Sequence, residues 1–268
     1  MRATAGMRLV IAGTALEVTG PEVWLAALRR AWVPWAGNVG LPPWPVSVAA
    51  DETLAEPEAP LFGAMPRSHS GICTLESPGF VGRIDAGAGQ AHLRAHPQAT
   101  SADVGYFLRV ALAIQAFARD GILFHAAGVV YQDRGYALFG RSGSGKTTAA
   151  RLSTPHPVLN DDLVLLWPEM GRWRIYATPF GRGRGQRLVA PLRGLLYLVK
   201  SPEVALKPLR PSLALSELVA NTPVLSADAD WLPEVMARWD GLMNRVPVWA
   251  LHFRRDVNFW EGIDAELG

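Results

Sequence analysis

The chain has 268 residues, of which 49% are apolar and 19% charged, the composition of a globular protein that can bury a substantial core. Its formal net charge is only +2, and arginines are interspersed with acidic residues, so the basic face of a nucleic-acid-binding protein is not expected. A single cysteine, Cys73, excludes an intramolecular disulfide and is compatible with a reducing cytoplasm. Its expected role is that of a small apolar residue in or beside a strand.

The N-terminal segment has a weak likeness to a signal peptide. Arg2 and Arg8 precede the apolar stretch Leu9–Leu16, but a Gly-Thr pair interrupts that stretch and Glu17 follows it. A first β-strand is therefore the favoured interpretation. No run of about 18 or more apolar residues occurs, so neither a membrane-spanning helix nor a membrane partner is predicted.

Residues 1–100 are predicted to form a small α+β domain. Thr19-Gly-Pro-Glu22 has the pattern of a capping box, which predicts a helix that starts there and ends by Pro34. Prolines and acidic residues dominate the stretch 42–66, which indicates a loop or linker. Short strands are predicted at 71–75, 80–84 and 90–93. The apolar side of the predicted helix consists of Val23, Trp24, Ala27, Leu28 and Ala31.

Residues 101–268 are predicted to form an α/β domain with a mixed sheet. A helix at about 101–119 opens this region, with Ser101 as its N-cap and Asp103 in its first turn. Apolar runs that suit buried strands then alternate with segments of helical periodicity. The predicted strands lie at 122–125, 128–131, 136–139, 163–167, 194–200 and 246–253, and the later helices at 216–220, 231–244 and 258–263.

The clearest motif directly follows the strand at 136–139. Gly140-Arg-Ser-Gly-Ser-Gly-Lys-Thr147 has the pattern of a phosphate-binding loop, and a helical segment comes after it, as that motif requires. Its glycines allow backbone N–H groups to turn toward phosphate oxygens, and the next helix directs its positive end at the same anion. The predicted nucleotide-binding residues are Gly140, Ser142, Gly143, Ser144, Gly145, Lys146, Thr147 and Thr148.

Two residues of this loop carry most of the predicted chemistry. Lys146 places a positive charge on the β- and γ-phosphates of a nucleoside triphosphate, and the Thr147 hydroxyl is a ligand for Mg²⁺. The sequence thus predicts ATP, or another nucleoside triphosphate, together with Mg²⁺. The alternative is a glycine- and serine-rich loop without a ligand, which the strand–loop–helix order disfavours.

A pair of aspartates comes soon after the loop. Asn160-Asp161-Asp162 follows Lys146 by about fifteen residues. The apolar run Leu163–Trp167 comes after the aspartates, whereas in most motor and switch ATPases the apolar strand comes before the metal-linked aspartate. A short helix followed at once by the aspartates would return both carboxylates to the loop. One carboxylate would then help to hold the metal, and the other would accept a proton from an attacking hydroxyl. The alternative is a turn in which one aspartate caps a neighbouring segment.

Neither the Asn-Lys-x-Asp guanine motif nor the Leu-Ser-Gly-Gly-Gln signature of ABC-type ATPases occurs, which disfavours a Ras-like GTPase and an ABC-type ATPase.

Over about residues 101–262 the chain instead resembles the HPr kinase/phosphorylase family and its related kinases. The matching motifs are Leu123-Phe-His125-Ala-Ala-Gly-Val129, Gly140–Thr148, Leu159-Asn-Asp-Asp162, and Val246–Phe253 with Phe259-Trp260.

This resemblance implies a catalytic domain shared with phosphoenolpyruvate carboxykinases. It implies that Lys146 binds phosphate and that Thr147 and Asp161 lie at the Mg²⁺ ion. By the same resemblance, Asp162 accepts the proton of a substrate serine. His125 matches the active-site histidine of the family and would orient Asp162 or contact phosphate, although a structural histidine at a strand end is the alternative.

The chain departs from the family pattern after the aspartates. The family has a glutamate metal ligand there, but the stretch 178–185 contains no acidic residue, so neither the phosphorylase reaction nor HPr as substrate is predicted. Arg182 or Arg184 in this stretch either neutralises the transferred phosphate or belongs to a solvated basic loop.

The sequence as a whole predicts a cytoplasmic, Mg²⁺- and ATP-dependent kinase. Its acceptor would be a serine or another hydroxyl on a small protein or peptide, and residues 1–100 would contribute to acceptor recognition. A homo-oligomer is compatible with the resemblance. Two other hypotheses stay open, namely a nucleotide-binding regulator without catalysis and a kinase that acts on a small molecule.

Overall fold

The computed structural model describes residues 4–37, 40, 42–181, 186–254 and 259–267. The protein is α/β, with two mixed sheets and, among these residues, six α-helices. Contacts divide the chain into two units, Met1–Arg119 with Ala227–Leu232, and Asp120–Ser226 with Pro233–Gly268. Within the described residues, no helix combines the length and the hydropathy needed to cross a lipid bilayer.

Within the described residues, the first unit contains a seven-stranded sheet and two α-helices. The strand order is β1-β2-β3-β7-β6-β5-β4, in which β2, β3 and β7 run parallel and the other neighbours are antiparallel. Its elements are β1 (Thr4–Ile11), β2 (Thr14–Pro21), α1 (Glu22–Ala31), β3 (Trp44–Ala50), β4 (Arg67–His69), β5 (Ile72–Ser77), β6 (Phe80–Asp85), β7 (Gln90–Ala95) and α2 (Ser101–Phe117).

The start of this unit differs from its prediction in three ways. The apolar N-terminal stretch is a hairpin of β1 and β2 rather than one strand, and it turns at Ala12, where φ is +50°. The capping box predicted at Thr19 is wrong, because Thr19 lies in β2 and the N-cap of α1 is Pro21, without a side-chain cap. The predicted apolar side of the helix is only partly right, because α1 buries Trp24, Leu25 and Leu28. Val23, which is 64% exposed, and Ala27 and Ala31 face solvent instead.

The predicted linker 42–66 contains a central strand. β3 lies between β2 and β7, and its side chains alternate between buried and exposed from Trp44 onward. The prolines of this stretch made the alternation hard to recognise. Pro45 lies near the start of β3, before its pairing with β7 begins at Val46, and the beginning of a strand tolerates proline. The strands predicted at 71–75, 80–84 and 90–93 are confirmed as β5, β6 and β7, and Cys73 is buried in β5 as expected.

Helix α2 packs in the first unit, although the sequence placed it at the start of the second region. Its Gln115 side chain donates to the carbonyl of Ala15 in β2 at 2.9 Å. The predicted N-cap Ser101 is wrong by one residue. Thr100 is the N-cap and forms a capping box with Asp103, because its hydroxyl and that carboxylate each bind the backbone N–H of the other residue.

The second unit contains a nine-stranded sheet in which the long strand β14 is shared by two groups of strands. Its path is β11-β9-β10-β14-β13-β12-β8, and β16 pairs with β14 and β15. The strands are β8 (Ile122–Phe124), β9 (Ala126–Tyr131), β10 (Arg134–Phe139), β11 (Val158–Asn160), β12 (Val164–Glu169), β13 (Arg172–Ala177), β14 (Val189–Lys200), β15 (Ala205–Pro208) and β16 (Val248–Phe253). The helices are α3 (Lys146–Leu152), α4 (Pro211–Ala220), α5 (Leu232–Met243) and α6 (Phe259–Leu267).

The strands predicted for this region are confirmed as β8, β9, β10, β12, β14 and β16, while β11, β13 and β15 were not predicted. Strands β10, β14 and β16 are parallel neighbours, so their carboxyl ends meet at one edge of the sheet. Ala149 and Ala150 of α3 and Phe259 and Trp260 of α6 pack into the apolar core that these strands share. This packing places α3, the helix after the predicted phosphate loop, at the edge where ligands bind in open α/β sheets.

Candidate functional site

The predicted phosphate loop connects the end of β10 to α3. Gly143 and Gly145 have φ of +76° and +108°, which L side chains rarely adopt. A Cβ atom at Gly145 would also lie 2.8 Å from Phe253 Cζ, so this position has no room for a side chain. The N–H of Ala149 donates to the carbonyl of Gly145 at 2.8 Å, so the three preceding amides have no acceptor within the helix. The loop therefore has the backbone form that presents amides to an anion.

Lys146 lies inside this loop. Its side chain is buried, with a residue exposure of 8%, and Nζ donates to the carbonyls of Gly140 at 2.7 Å and Arg141 at 3.4 Å. Burial lowers the pKa of Lys146, and the negative charge of Asp162 acts in the opposite direction. The ammonium group is thus held by two loop carbonyls and within the field of Asp162.

A turn immediately after β11 carries the aspartates. Asn160 Oδ1 accepts hydrogen bonds from the backbone N–H groups of Asp162 at 2.7 Å and Leu163 at 3.0 Å. Asn160 Nδ2 donates to the carbonyls of Thr178 and Phe180, each at 3.0 Å. Both ends of this carboxamide are therefore used to fix the turn, a role that was not predicted for Asn160.

His125 lies between β8 and β9, next to the aspartates. Its Nε2 is 3.2 Å from Asp162 Oδ1, a distance at which a protonated Nε2 donates a hydrogen bond. The two side chains are 40% and 45% exposed, so both also reach solvent. The backbone N–H of His125 donates to the carbonyl of Asn221 at 2.8 Å, directly after α4. This geometry suits the predicted role in which His125 orients Asp162.

One cavity of about 920 Å³ brings most of the predicted residues together. Gly140 and Ser144 do not line it; a Cβ on Gly140 would lie 3.1 Å from Ser144 Oγ, so these two loop residues pack against each other. Arg182 and Arg184 lie outside the described residues. The predicted residues that line the cavity are His125, Ser142, Gly143, Gly145, Lys146, Thr147, Thr148, Asp161 and Asp162.

The donor set of the cavity fits a divalent cation that arrives with phosphate. Asp161 Oδ1 is buried and has no hydrogen-bond partner among the described residues, and the Thr147 hydroxyl lines the same cavity. In the part of the chain that the structure describes, no group of three or more His, Cys, Asp or Glu could hold a metal ion. Mg²⁺ is commonly bound by one or two protein oxygens together with substrate phosphates and water, so this set is sufficient.

Glu217 of α4 is a second residue that the sequence did not identify. Its carboxylate is 6% exposed and accepts hydrogen bonds from Arg141 Nε and Nη2 in the phosphate loop, each at 3.3 Å. Burial raises the pKa of Tyr197, and the Glu217 carboxylate adds to that rise. The same helix ends at Asn221, which binds the backbone of His125. Helix α4 thus connects the loop to the histidine.

We expect Glu217→Gln to weaken ATP binding modestly. The substitution keeps the shape of the side chain and removes the charge that anchors Arg141. Because Arg141 is 81% exposed, solvent screening limits this pair to about 0–1 kcal/mol, or at most about a fivefold change in affinity. Calorimetric titration with ATP measures the effect, and Glu234→Gln on the exposed face of α5 is the matched control. Unchanged affinity together with a large loss of stability would leave Glu217 a purely structural role.

Comparison with known proteins adds little to this geometry. No protein-family model matches the chain, and no curated protein matches it. A solved structure of the HPr(Ser) kinase/phosphatase from Coxiella burnetii matches 34% of this chain and 71% of its own, with 20% sequence identity and a TM-score of 0.26. A TM-score this low supports no inference about function, so the family resemblance stays a prediction from the motifs.

Proposed function

We propose that this protein is a Mg²⁺-dependent kinase that transfers the γ-phosphate of ATP, or of another nucleoside triphosphate, to a hydroxyl group. The observation that carries the proposal is the single cavity that contains a phosphate loop, Lys146, the two aspartates and His125. Each of these groups has a separate task in phosphoryl transfer, and the contacts described above hold them in one place.

The chain's own residues account for the transfer. Asp162 accepts the proton of the acceptor hydroxyl as that oxygen forms a bond to the γ-phosphorus. The bond between the γ-phosphorus and the β–γ bridging oxygen breaks, which leaves the nucleoside diphosphate. Lys146 and the loop amides stabilise the negative charge on the phosphates. His125 holds Asp162 in position through the contact at 3.2 Å.

The Thr147 hydroxyl and Asp161 would hold Mg²⁺, which when bound neutralises charge on the β- and γ-phosphates. Oδ1 of Asp161 is buried and has no hydrogen-bond partner in the described part of the chain, which supports this assignment, because such a carboxylate oxygen is unfavourable unless a cation binds it. Asp161 and Asp162 therefore have different tasks although they are adjacent in the chain.

The acceptor in this proposal is a serine or another hydroxyl of a small protein or peptide, and residues 1–100 contribute to its recognition. Support comes from the motif resemblance, and from the exposure of the Asp162 side chain, which leaves it accessible from the cavity. A small-molecule acceptor and a regulator without catalysis are outcomes that the experiment distinguishes.

The test is phosphate transfer from γ-labelled ATP with Mg²⁺, with small proteins and peptides encoded beside the gene as acceptors. Wild type is compared with Lys146→Ala and with Lys207→Ala, an exposed lysine of β15 that serves as the control. Label on one acceptor that is lost only in Lys146→Ala supports the kinase. Label on a small molecule redirects the proposal to that acceptor class, and nucleotide binding without transfer to any acceptor favours a regulator.

A further inference from the structure

Two cationic side chains lie on the opposite side of the phosphate loop from the aspartates. Along the sheet the order is β11, β9, β10, β14 and β16, and the loop follows β10. Asp161 and Asp162 follow β11, whereas Lys200 ends β14 and Arg254 follows β16. All of them line the same cavity. The loop thus lies between an acidic and a basic side of one site.

Backbone contacts hold the basic side against the loop. Lys200 is paired with Phe253 in the parallel register of β14 and β16, and the N–H of Ser201 donates to the carbonyl of Phe253 at 3.1 Å. The Phe253 ring in turn packs on Gly145, where an added Cβ would lie 2.8 Å from Cζ. Phe253 is 4% exposed, so its position is fixed by the core. The backbone positions of Lys200 and Arg254 are consequently fixed next to the phosphate loop, and their exposed side chains extend from there into the cavity that they line.

The charges of the cavity favour a ligand with several negative charges. Among the described residues, four cationic side chains line it, namely Lys146, Arg151, Lys200 and Arg254, against the two aspartates. Lys146 already accounts for the β- and γ-phosphates in the proposed function. Lys200 and Arg254 have no part in that transfer, yet they are brought to the site from two separate strands.

The geometry points to a third phosphate subsite: we propose that Lys200 and Arg254 bind the α-phosphate of the nucleotide. This inference rests on the proposed function, because the γ-phosphate must face Asp162 for transfer. The phosphate chain then runs away from β11, across the loop, toward β14 and β16. Neighbouring strands are roughly 5 Å apart, so the two cations lie within about two strand spacings of the loop. Ammonium and guanidinium groups both form charge-assisted hydrogen bonds to phosphate.

The test compares phosphate chains of increasing length on the full-length protein. Mg²⁺ complexes of pyrophosphate, tripolyphosphate and ATP are titrated calorimetrically into wild type and into the double variant Lys200→Ala/Arg254→Ala. Pyrophosphate fills only the loop subsites, so its affinity should be unchanged. Tripolyphosphate and ATP reach the third subsite, and their affinity should fall about tenfold or more. The single variant Lys200→Arg keeps both positive charges. It should bind tripolyphosphate and ATP more tightly than the double variant does.

The controls separate this inference from the function on which it rests. Lys207→Ala/Arg210→Ala removes the same charge from exposed positions outside the cavity and should leave all three affinities unchanged. Equal losses for pyrophosphate and tripolyphosphate in the Lys200/Arg254 variant, or no loss for either, would overturn the third subsite. Even in that case, if wild type binds pyrophosphate and Lys146→Ala does not, the result would still support phosphate binding by the loop. If wild type binds none of the three compounds, the proposed function and the subsite both fall.

Discussion

Asp162→Asn should slow phosphoryl transfer by about 10²- to 10⁴-fold in kcat and should leave nucleotide affinity nearly unchanged. Asparagine has the shape of aspartate and can still contact His125 at the observed 3.2 Å, but it cannot accept the proton of the acceptor hydroxyl. The substitution also removes a negative charge near Lys146, so binding of a polyanion is not weakened. Single-turnover transfer from γ-labelled ATP measures the chemical step, and calorimetry with ADP measures the affinity.

Asp161→Asn is the matched comparison, since it makes the same chemical change at the adjacent residue. It should raise the Mg²⁺ concentration needed for ATP binding, because a ligand with a full negative charge is replaced by a neutral amide. If both variants changed transfer and Mg²⁺ dependence alike, the division of roles between the two aspartates would be wrong. Transfer at the wild-type rate in Asp162→Asn would remove this residue from the role of base.

The parts of the site that the sequence predicted are those with local signals. A phosphate loop needs glycines, a lysine and a helix within a few residues, and the loop from Gly140 to Thr148 shows all of them between β10 and α3. The aspartate pair follows so closely that its return to the loop could be predicted from chain length. In the first unit the local signals were weaker. The prolines near Pro45 indicated a loop, so the alternating pattern of β3 was not recognised.

The positioning contacts could not be predicted, because they join residues that are distant in the chain. Glu217 and Arg141 are 76 residues apart, and only the packing of α4 brings them together. Lys200 and Arg254 become neighbours through the pairing of β14 with β16, which no local pattern shows. Asn160 did carry a usable signal. An asparagine at the end of a strand favours a turn in which its side chain accepts a hydrogen bond from the backbone two residues later.

Asn160→Leu should reduce both stability and transfer. Leucine has a similar volume but makes none of the hydrogen bonds that join Asn160 to the aspartate turn and to Thr178 and Phe180. Polar backbone groups would lose their partners in a partly buried site, which should lower the free energy of unfolding by roughly 2–4 kcal/mol. The aspartates would also lose their fixed position, and a displacement of about 1 Å can reduce transfer on the order of 10²-fold.

Urea unfolding followed by tryptophan fluorescence measures the stability of this variant, and transfer is assayed at a temperature where it is still folded. Asn244→Leu, at an exposed position after α5, makes the same change without these contacts and should shift stability by no more than about 0.5 kcal/mol. A folded Asn160→Leu protein that transfers phosphate at the wild-type rate would show that the turn is held by other contacts. A loss of transfer that exceeds the loss of folded protein would instead establish Asn160 as a positioning residue, because a residue with only a structural role would lower both in proportion.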